Sequence, residues 1–443
     1  MAEYRHLALV RQVMAAMIQG RPFAPSLLSS PRFPGWSSDA VRCVLASVPR
    51  HFFLSPRSVG RQRVSTRHRS PLRQRDLRRE AHDACLGLHI GGPAAYSDPA
   101  RVRLGVAKAL EFYCWVASSC GFAHDEGTCR EMARVLARAN ALRRLWDFLR
   151  ENQYLVGTPT VTDVIKVLGE EGLTREALAA FYRMKQLHCK PDVQTYNVLI
   201  TALCRVGNLK KARFLLEQME LPGALCPADT YTYTILIAAY CRRSIQTGCR
   251  KAVRRRLWEA NHMFRHMLFR GFVPDTVTYN CLIDGLCKTY RIGRALELFD
   301  DMLLKGCAPN RVTYNSFIRY FSAVNEVDKA VEMMRLMVSK GHGVPTSSSY
   351  TPIIHALCEG GRVSEARDFL LEMVNGGTIP REYTYKLVND SLVGAGEAKM
   401  PVDVCRIIKD GIDARMSHLI NVKPLIAGRF LLDHEKADIT LSG

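Results

Sequence analysis

An internal repeat of about 35 residues constrains the fold of this 443-residue chain more than any other feature of its sequence. The segment VQTYNVLITALCRVGNLKKARFLLEQM from Val193 is matched by TVTYNCLIDGLCKTYRIGRALELFDDM from Thr276, and by two further segments from Arg311 and Ser347. Six units follow one another without a gap: 158–192, 193–229, 230–275, 276–310, 311–346 and 347–381. A partial seventh unit begins at Glu382, and residues 382–443 then lose the pattern and are expected to form a C-terminal cap or tail.

Each unit carries the same side-chain types at the same positions. Position 4 is tyrosine in five units, position 12 is small, position 20 is alanine, position 27 is methionine, and a proline lies near the end. Two stretches with a 3.6-residue apolar period, split by a polar or Gly-containing turn, predict two helices per unit. One hairpin cannot bury its own apolar face, whereas a stack of six can. The sequence therefore predicts an all-α fold, an α-solenoid of stacked helix-turn-helix repeats.

The cysteines at position 12 and the methionines at position 27 are predicted to be core residues rather than metal ligands. Neighbouring units place these cysteines about one repeat apart, which is too far for one tetrahedral site with Zn–S bonds of about 2.3 Å. The chain has 15 cysteines but no CxxC, and it contains no GxxxxGK[ST] phosphate loop and no GxSxG nucleophile elbow. We therefore expect no enzyme, no catalytic residue, no metal, no cofactor and no small-molecule substrate.

Charge distinguishes the first 100 residues from the rest. The chain has 62 Lys and Arg against 42 Asp and Glu, a net charge of +20, which favours a polyanionic partner, and no apolar run is long enough to span a membrane. Residues 1–100 contain arginine but no lysine, with a dense tract from Arg57 to Arg79. We expect a basic, Arg- and Pro-rich, largely disordered region with a short amphipathic helix at Leu7–Ile18. An organelle transit peptide and an auxiliary RNA contact are the alternatives for this region.

The segment from residue 101 to residue 157 is expected to form degenerate helical hairpins that cap the first clear unit. The stretches ALEFYCWVASSCGFAHD and REMARVLARANALRRLWDFL have helical apolar spacing. Trp115 and Trp146 are predicted to be core residues of this cap.

The fourth unit, TVTYNCLIDGLCKTYRIGRALELFDDMLLKGCAPN from Thr276 to Asn310, resembles the pentatricopeptide repeat almost throughout. Its pattern, VTYNxLIxxLCKxGxxxxAxxLFxxMxxKGxxPD, is specific to that family, and contiguous units of about 35 residues resemble the P-class of pure repeats in plant organelles. The resemblance implies a right-handed solenoid that binds single-stranded organelle RNA, with other RNA-processing or splicing factors as further partners. Intron splicing, transcript processing or stabilisation, and translation are the implied processes. The Arg-rich, Ser-poor start favours the mitochondrion over the chloroplast.

The resemblance also implies that each unit reads one base through position 5 of its first helix and the last residue of the unit. Asn offers a donor and an acceptor to a pyrimidine, and Thr leaves room for a purine, while a terminal Asp or Asn biases the choice within each class. The implied pairs are Thr162 with Asp192 for guanine, Asn197 with Asp229 for uracil, Thr234 with Asp275 for guanine, Asn280 with Asn310 for cytosine or uracil, and Asn315 with Thr346 for a pyrimidine. The predicted core is 5′-GUG(C/U)(Y)-3′.

The last units depart from this pattern. Thr351 is paired with Arg381, so no base is assigned to the sixth unit, and Lys386 in the partial seventh unit resembles a phosphate contact. Position 2 is the base-sandwiching site of the family. Tyr231, Val277 and Val312 suit that role, whereas the polar residues at position 2 of the second and sixth units suit it less.

The 46-residue third unit contains the basic segment RRSIQTGCRKAVRRR, residues 242–256, which the repeat pattern places between its two helices. One interpretation is a solvated loop or a helix extension. The other is a clamp on RNA phosphates, since single-strand binding depends on neutralised phosphates. The clamp would consist of Arg242, Arg243, Arg250, Lys251, Arg254, Arg255 and Arg256.

Two other classes of function compete with RNA binding. A protein-binding scaffold of the tetratricopeptide type would use 34-residue units with Trp, Leu-Gly and Tyr in the first helix, a pattern that these units lack. An RNA-processing enzyme would need clustered carboxylates in a separate domain, and the acids after Pro401 are scattered. The sequence therefore favours sequence-specific RNA binding, with the scaffold as the alternative.

Overall fold

The computed structural model describes residues 2–21, 23, 36–53, 98–246, 249–397 and 400–421. These residues contain 19 α-helices and no β-strand, so the predicted all-α class is confirmed. The chain divides into two compact units, of which the first holds the described residues up to Cys281 and the second holds those from Leu282. None of the helices in the described ranges is long and apolar enough to cross a bilayer.

The first compact unit begins with helices in the region that composition predicts to be disordered. Helix α1 (Ala2–Ile18) packs on α2 (Ser38–Val48), which continues into a π-helical turn (Pro49–Phe53). The buried residues of α2 are Ala40, Val41, Val44, Leu45 and Val48. Because their spacing of one, three and four residues forms one apolar face, α2 packs stably on the helices that follow. Helix α1 includes the short helix predicted at Leu7–Ile18. The prediction of disorder is wrong for residues 38–53, and the tract from Arg57 to Arg79 lies outside the described residues.

Three helices connect this N-terminal region to the repeats: α3 (Pro99–Cys120), α4 (Glu126–Arg138) and α5 (Leu142–Glu151). Aromatic rings join α3 to the N-terminal region, because Phe112 lies 5.8 Å from Phe23 and 5.3 Å from Trp36 between ring centroids. The segment expected to hold degenerate hairpins thus consists of one long helix and one hairpin, α4–α5. Trp146 of this hairpin is covered by the guanidinium of Arg183, 4.7 Å from the ring centroid.

Three hairpins of the repeat follow in the first compact unit. They are α6 (Thr158–Glu170) with α7 (Thr174–Arg183), α8 (Val193–Arg205) with α9 (Leu209–Met219), and α10 (Thr230–Gln246) with α11 (Arg250–Phe269), and α12 (Thr276–Lys288) follows them. Each first helix packs on the next, from α4 through α6 and α8 to α10, and α7 and α9 each pack on the first helix of the following hairpin. This is the stacking of an α-solenoid, in which a repeat contacts only its neighbours.

The predicted core columns are buried in the first compact unit. Ala177, Ala212 and Ala260 are inaccessible, and the methionines of position 27 are nearly so. Gly169 shows why position 12 is small, because a Cβ atom there would lie 2.4 Å from Cβ of Ala202. The small residues therefore allow first helices to approach closely, as predicted.

The insertion in the third repeat lengthens both of its helices. Helix α10 has 17 residues, against 13 in the first helices α6 and α8. Helix α11 has 20 residues, against 10 and 11 in the second helices α7 and α9. The prediction that residues 242–256 lie between the helices is wrong, since 242–246 belong to α10 and 250–256 belong to α11. Long, straight side chains such as Arg and Lys lose little conformational freedom in a helix, which explains the extension.

The second compact unit continues the hairpin pattern. Its helices are α13 (Ile292–Leu304), α14 (Arg311–Ala323), α15 (Val327–Ser339), α16 (Ser347–Glu359), α17 (Val363–Asn375), α18 (Glu382–Ala395) and α19 (Val402–Asn421). The first helices again pack in series, from α14 through α16 to α18. The partial seventh unit contains two helices, α18 and α19, although its sequence has lost most of the repeat pattern.

Candidate nucleic-acid interface

The position-5 side chains are buried near the N-terminal end of each first helix. Thr162, Asn197, Thr234, Asn280 and Asn315 expose only 5–8% of their surface, whereas Thr351 is half-buried. Buried polar side chains require hydrogen-bond partners, so these residues do not form a solvated helix face. Their partners therefore decide what they can present to a ligand.

The last residue of each unit lies at the N-terminal end of the next first helix. The side chains of Asp192, Asp229 and Asp275 accept hydrogen bonds of 2.7 Å from the backbone N–H groups of Thr195, Thr232 and Thr278, respectively. This is the role of an N-cap residue, which satisfies a helix donor that has no intrahelical partner. In the second compact unit, Asn310 caps α14 by accepting from the N–H groups of Val312 and Thr313. The last residues of these units, which are predicted to read bases, are therefore also helix caps.

A buried hydroxyl at position 3 connects these two columns. In the first compact unit, the Oγ1 atoms of Thr162 and Thr195 lie 2.7 Å apart, and Thr195 in turn donates to Asp192 Oδ1 over 2.6 Å. The same geometry recurs at the junction between the third and fourth units. Thr234 lies 2.7 Å from Thr278, which donates to Asp275 Oδ1 over 2.7 Å. A position-5 residue is therefore linked to the last residue of its own unit through the hydroxyl of the next unit.

Asn197 makes the link in two ways. Its Nδ2 donates to Asp229 Oδ1 over 3.3 Å, and its Oδ1 lies 2.7 Å from the Thr232 hydroxyl. Thr232 Oγ1 is also 2.7 Å from Asp229 Oδ1. The pair that the sequence assigns to uracil is therefore in direct contact, with both side chains held by a third.

The second compact unit repeats the arrangement once and then loses it. Ser349 donates to Asn315 Oδ1 over 2.7 Å and accepts from the backbone N–H of Thr346 over 3.4 Å. Arg381 makes no side-chain cap of α18, and Thr384, at position 3 of the seventh unit, contacts His355 Nε2 over 3.3 Å. The sixth unit thus departs from the pattern in structure as it does in sequence.

The position-3 hydroxyl column was not singled out from the sequence. Its members are Thr160, Thr195, Thr232, Thr278, Thr313, Ser349 and Thr384. All of them are essentially inaccessible to solvent. A hydroxyl in all seven units would have been the signal, since Ser or Thr at the third position of a helix suits a reciprocal capping box.

The position-2 side chains are exposed beside these junctions. Tyr231, Val277 and Val312 expose 61%, 56% and 52% of their surface. Tyr383, at the same position of the seventh unit, is exposed to 68% and was missed because that unit was treated as partial. Large exposed apolar side chains in a column provide a surface on which bases can stack.

The predicted phosphate residues divide between two helices. Arg242 is exposed in the last turns of α10, whereas Arg250, Lys251 and Arg254 are exposed on α11, the second helix of the hairpin. Arg255 is also exposed on α11 and lies 3.9 Å from Glu259. The other two are engaged within the protein: the Arg243 guanidinium covers Gly207, and Arg256 is half-buried. The seven residues therefore do not form one continuous clamp.

Lys386, which was predicted to contact phosphate, forms an ion pair within the protein. It pairs with Glu382 over 2.7 Å, one turn earlier in α18.

The cysteines at position 12 are buried and protonated. Burial raises the pKa of Cys204 to about 12 and also raises the pKa of Cys287, which keeps both thiols protonated. Within the described parts of the chain, no three potential ligand residues lie together as a metal site.

Stacked helical hairpins with a linked polar pair at several junctions define an α-helical repeat protein. The PPR repeat family model matches residues 157–205, 195–242, 253–288 and 274–322, and the PPR repeat model matches residues 312–342 and 348–378. The Arabidopsis thaliana protein named "Pentatricopeptide repeat-containing protein At1g77405" is 61% identical over 426 residues, which are 95% of this chain and 93% of that protein. The chain therefore belongs to the pentatricopeptide repeat family.

Other relatives share shorter stretches or only a loose likeness. "Pentatricopeptide repeat-containing protein At5g14820, mitochondrial" of Arabidopsis thaliana is 30% identical over 27% of this chain and 20% of its own length. Among solved structures, the pentatricopeptide repeat protein PPR10 in complex with an 18-nt psaJ RNA element is 17% identical, with a TM-score of 0.36 over 87% of this chain and 72% of PPR10. Yeast Rmd9p in complex with a 16-nt target RNA is 11% identical, with a TM-score of 0.43 over 90% of this chain and 98% of Rmd9p.

Proposed function

We propose that this protein binds single-stranded RNA and recognises its sequence one base per repeat. The observation that supports this most directly is the contact between position 5 and the last residue at one junction, Asn197 Nδ2 to Asp229 Oδ1 at 3.3 Å. Two polar side chains fixed next to each other can present a defined set of donors and acceptors to the edge of an unpaired base. The net charge of +20 favours a polyanion as the ligand.

The proposed core is 5′-GUG(C/U)(Y)-3′, read by the five pairs from Thr162 with Asp192 to Asn315 with Thr346. In the first compact unit each aspartate uses Oδ1 for the cap and the hydroxyl, which leaves Oδ2 available to a base. A carboxylate oxygen accepts from guanine N1–H and N2–H and from uracil N3–H. Tyr231 and Val277 lie exposed at position 2, where a base would stack.

The test is fluorescence anisotropy of the full chain with short single-stranded RNAs. One probe contains GUGCC in a neutral context, and the others permute these bases, all at about 0.15 M salt, because affinity depends on salt. We expect a preference for GUGCC of about tenfold or more, which is about 1.4 kcal/mol. Equal binding to all probes would leave a basic RNA scaffold without base recognition. No binding at all would favour the protein-binding scaffold.

The phosphate contacts are proposed for the exposed members of the basic segment only. Each phosphate contact with a single strand contributes about 0.7 to the slope of log affinity against log salt. Arg242→Gln, on the first helix of its hairpin, is expected to reduce that slope by about 0.7. The matched variant Arg256→Gln, at a half-buried arginine of α11, is expected to leave the slope unchanged. Equal slopes for wild type and Arg242→Gln would exclude a phosphate contact at that residue.

We further propose action in organelle RNA metabolism, through splicing, transcript processing or stabilisation, or translation, with the mitochondrion as the favoured location. The Arg-rich start of the chain supports this, as does a relative whose name places it in mitochondria, although only 20% of that relative is matched. Fluorescence imaging of the full chain fused to a fluorescent protein at its C-terminus tests the location. Signal in the chloroplast would support the alternative, and signal in neither organelle would contradict the proposal.

A further inference from the structure

We propose that the position-3 hydroxyls of Thr195, Thr232, Thr278 and Ser349 are positioning residues that determine which base the preceding repeat accepts. This inference rests on the proposed function. It assigns a role in specificity to side chains that are buried and do not themselves touch the RNA. The argument follows from the hydrogen bonds at each junction and from the number of donors and acceptors that each group possesses.

At the uracil junction, Thr232 fixes the amide of Asn197. The hydroxyl is inaccessible and lies 2.7 Å from both Asn197 Oδ1 and Asp229 Oδ1, and it is 3.3 Å from the backbone N–H of Asp229. The single hydroxyl proton of Thr232 is shared between the two acceptors, Asn197 Oδ1 and Asp229 Oδ1. Because a carboxylate cannot donate, Asn197 keeps Oδ1 toward the hydroxyl and turns Nδ2 to Asp229. One N–H and one oxygen lone pair of Asn197 then remain for a base. A pyrimidine edge that offers N3–H and a carbonyl group matches this pair.

At the two guanine junctions, the position-3 hydroxyl leaves the position-5 residue with acceptors only. Thr195 donates its only hydroxyl proton to Asp192, because the carboxylate can only accept. Thr162, 2.7 Å from Thr195, must then donate its own proton to Thr195. Thr162 is left with lone pairs alone for a ligand, and a purine that donates N–H groups suits it. At the second guanine junction, the proton of Thr234 is taken up by Thr278 or by the carbonyl of Thr230, 2.9 Å away.

The chain contains a matched control for this role. Thr160 occupies position 3 of its unit and is as inaccessible as Thr232. The hairpin before it ends at Gly157 and has Arg130 at position 5, so there is no Asn or Thr reader and no capping side chain at that junction. Its hydroxyl makes a long contact of 3.4 Å to Glu126 Oε1. Removing the Thr160 hydroxyl therefore measures the effect on packing alone, because no reading pair is lost.

The experiment compares wild type with Thr232→Val, Thr232→Ser and Thr160→Val as full chains. Affinity is measured by fluorescence anisotropy for GUGCC and for probes changed only at the first or only at the second base, and melting is followed by circular dichroism. We expect Thr232→Val to reduce the preference for uracil at the second base from about tenfold to about twofold or less, since an unpaired buried amide can turn. Preference at the first base stays unchanged. Thr232→Ser restores selectivity, and Thr160→Val retains it.

The outcomes separate the two proposals. If wild type discriminates at the second base and Thr232→Val discriminates equally well, the positioning role is overturned while the proposed function stands. If wild type binds every probe equally, the proposed function fails and the positioning role fails with it. Thr195→Val gives a second measurement in case Thr232→Val does not fold. It should reduce selectivity at the first base alone, and retention of that selectivity would also overturn the positioning role.

Discussion

Asp192 has two roles that substitution can separate, because it caps α8 and is proposed to read guanine. Its Oδ1 accepts from the Thr195 N–H over 2.7 Å and from the Thr195 hydroxyl over 2.6 Å. Replacing an N-cap Asp by Ala costs about 1 kcal/mol, whereas Asn caps as well as Asp does. Asp192→Ala should therefore weaken both the helix and the base preference. Asp192→Asn should retain the helix and shift the first base from guanine toward adenine.

Hydrogen exchange of the Thr195 amide reports the cap directly, because local opening is measured at the bond that is removed. A loss of about 1 kcal/mol corresponds to about fivefold faster exchange in Asp192→Ala. Arg381→Ala is the control, since Arg381 precedes α18 without a side-chain cap, and its first turn should exchange as in wild type. Unchanged exchange at Thr195 in Asp192→Ala would refute the capping argument. An unchanged base preference in Asp192→Asn would refute the reading role.

Two further predictions concern the turn at Gly207 and the thiol of Cys249. Gly207 and Gly271 both have φ near +80°, so alanine at either should cost about 1–2 kcal/mol in urea unfolding. The added Cβ at Gly207 would displace the guanidinium of Arg243, but this is the end of a flexible side chain that can move away, whereas Gly271 has open space. The two variants should therefore shift the midpoint by similar amounts, and a much larger shift for Gly207→Ala would contradict this reasoning. The backbone N–H groups of Ala252 and Lys251, in the first turn of α11, lower the pKa of the exposed Cys249 thiol. The alkylation of Cys249 should therefore become fast at a lower pH than that of an ordinary thiol. Peptide mapping after iodoacetamide treatment at pH 7 should show Cys249 modified before Cys114, which is also exposed, and the reverse order would contradict the prediction.

The sequence predicts the repeat fold well because its columns are local and periodic. Alanine at position 20 and methionine at position 27 are buried as expected, and the helix pairs follow from the apolar period. Helix α1 was predicted in part, at Leu7–Ile18. Helix α2 was missed because arginine and proline content dominates residues 1–100, although α2 has a clear apolar face. The right-handed twist of the solenoid stays a prediction.

The geometry of the site was harder to predict, because it depends on contacts between units. Thr162 and Thr195 are 33 residues apart in the chain but 2.7 Å apart in space. No local pattern reveals that a hydroxyl of one unit binds a reader of the previous one, since the contact exists only after stacking. The basic segment 242–256 was identified by composition, and its division between α10 and α11 agrees with the helix extension that was one of its interpretations.

The most direct test of base-by-base recognition is the change of preference in Asn197→Thr. This variant gives the second repeat the Thr and Asp combination of the first and third repeats. Anisotropy is measured for wild type and variant on two RNAs that differ only at the second base, uracil or guanine, at the same salt concentration. The account predicts that wild type prefers uracil by about tenfold and that Asn197→Thr prefers guanine. A variant that loses affinity for both RNAs equally, without a change in their order, would contradict the claim that position 5 selects the base.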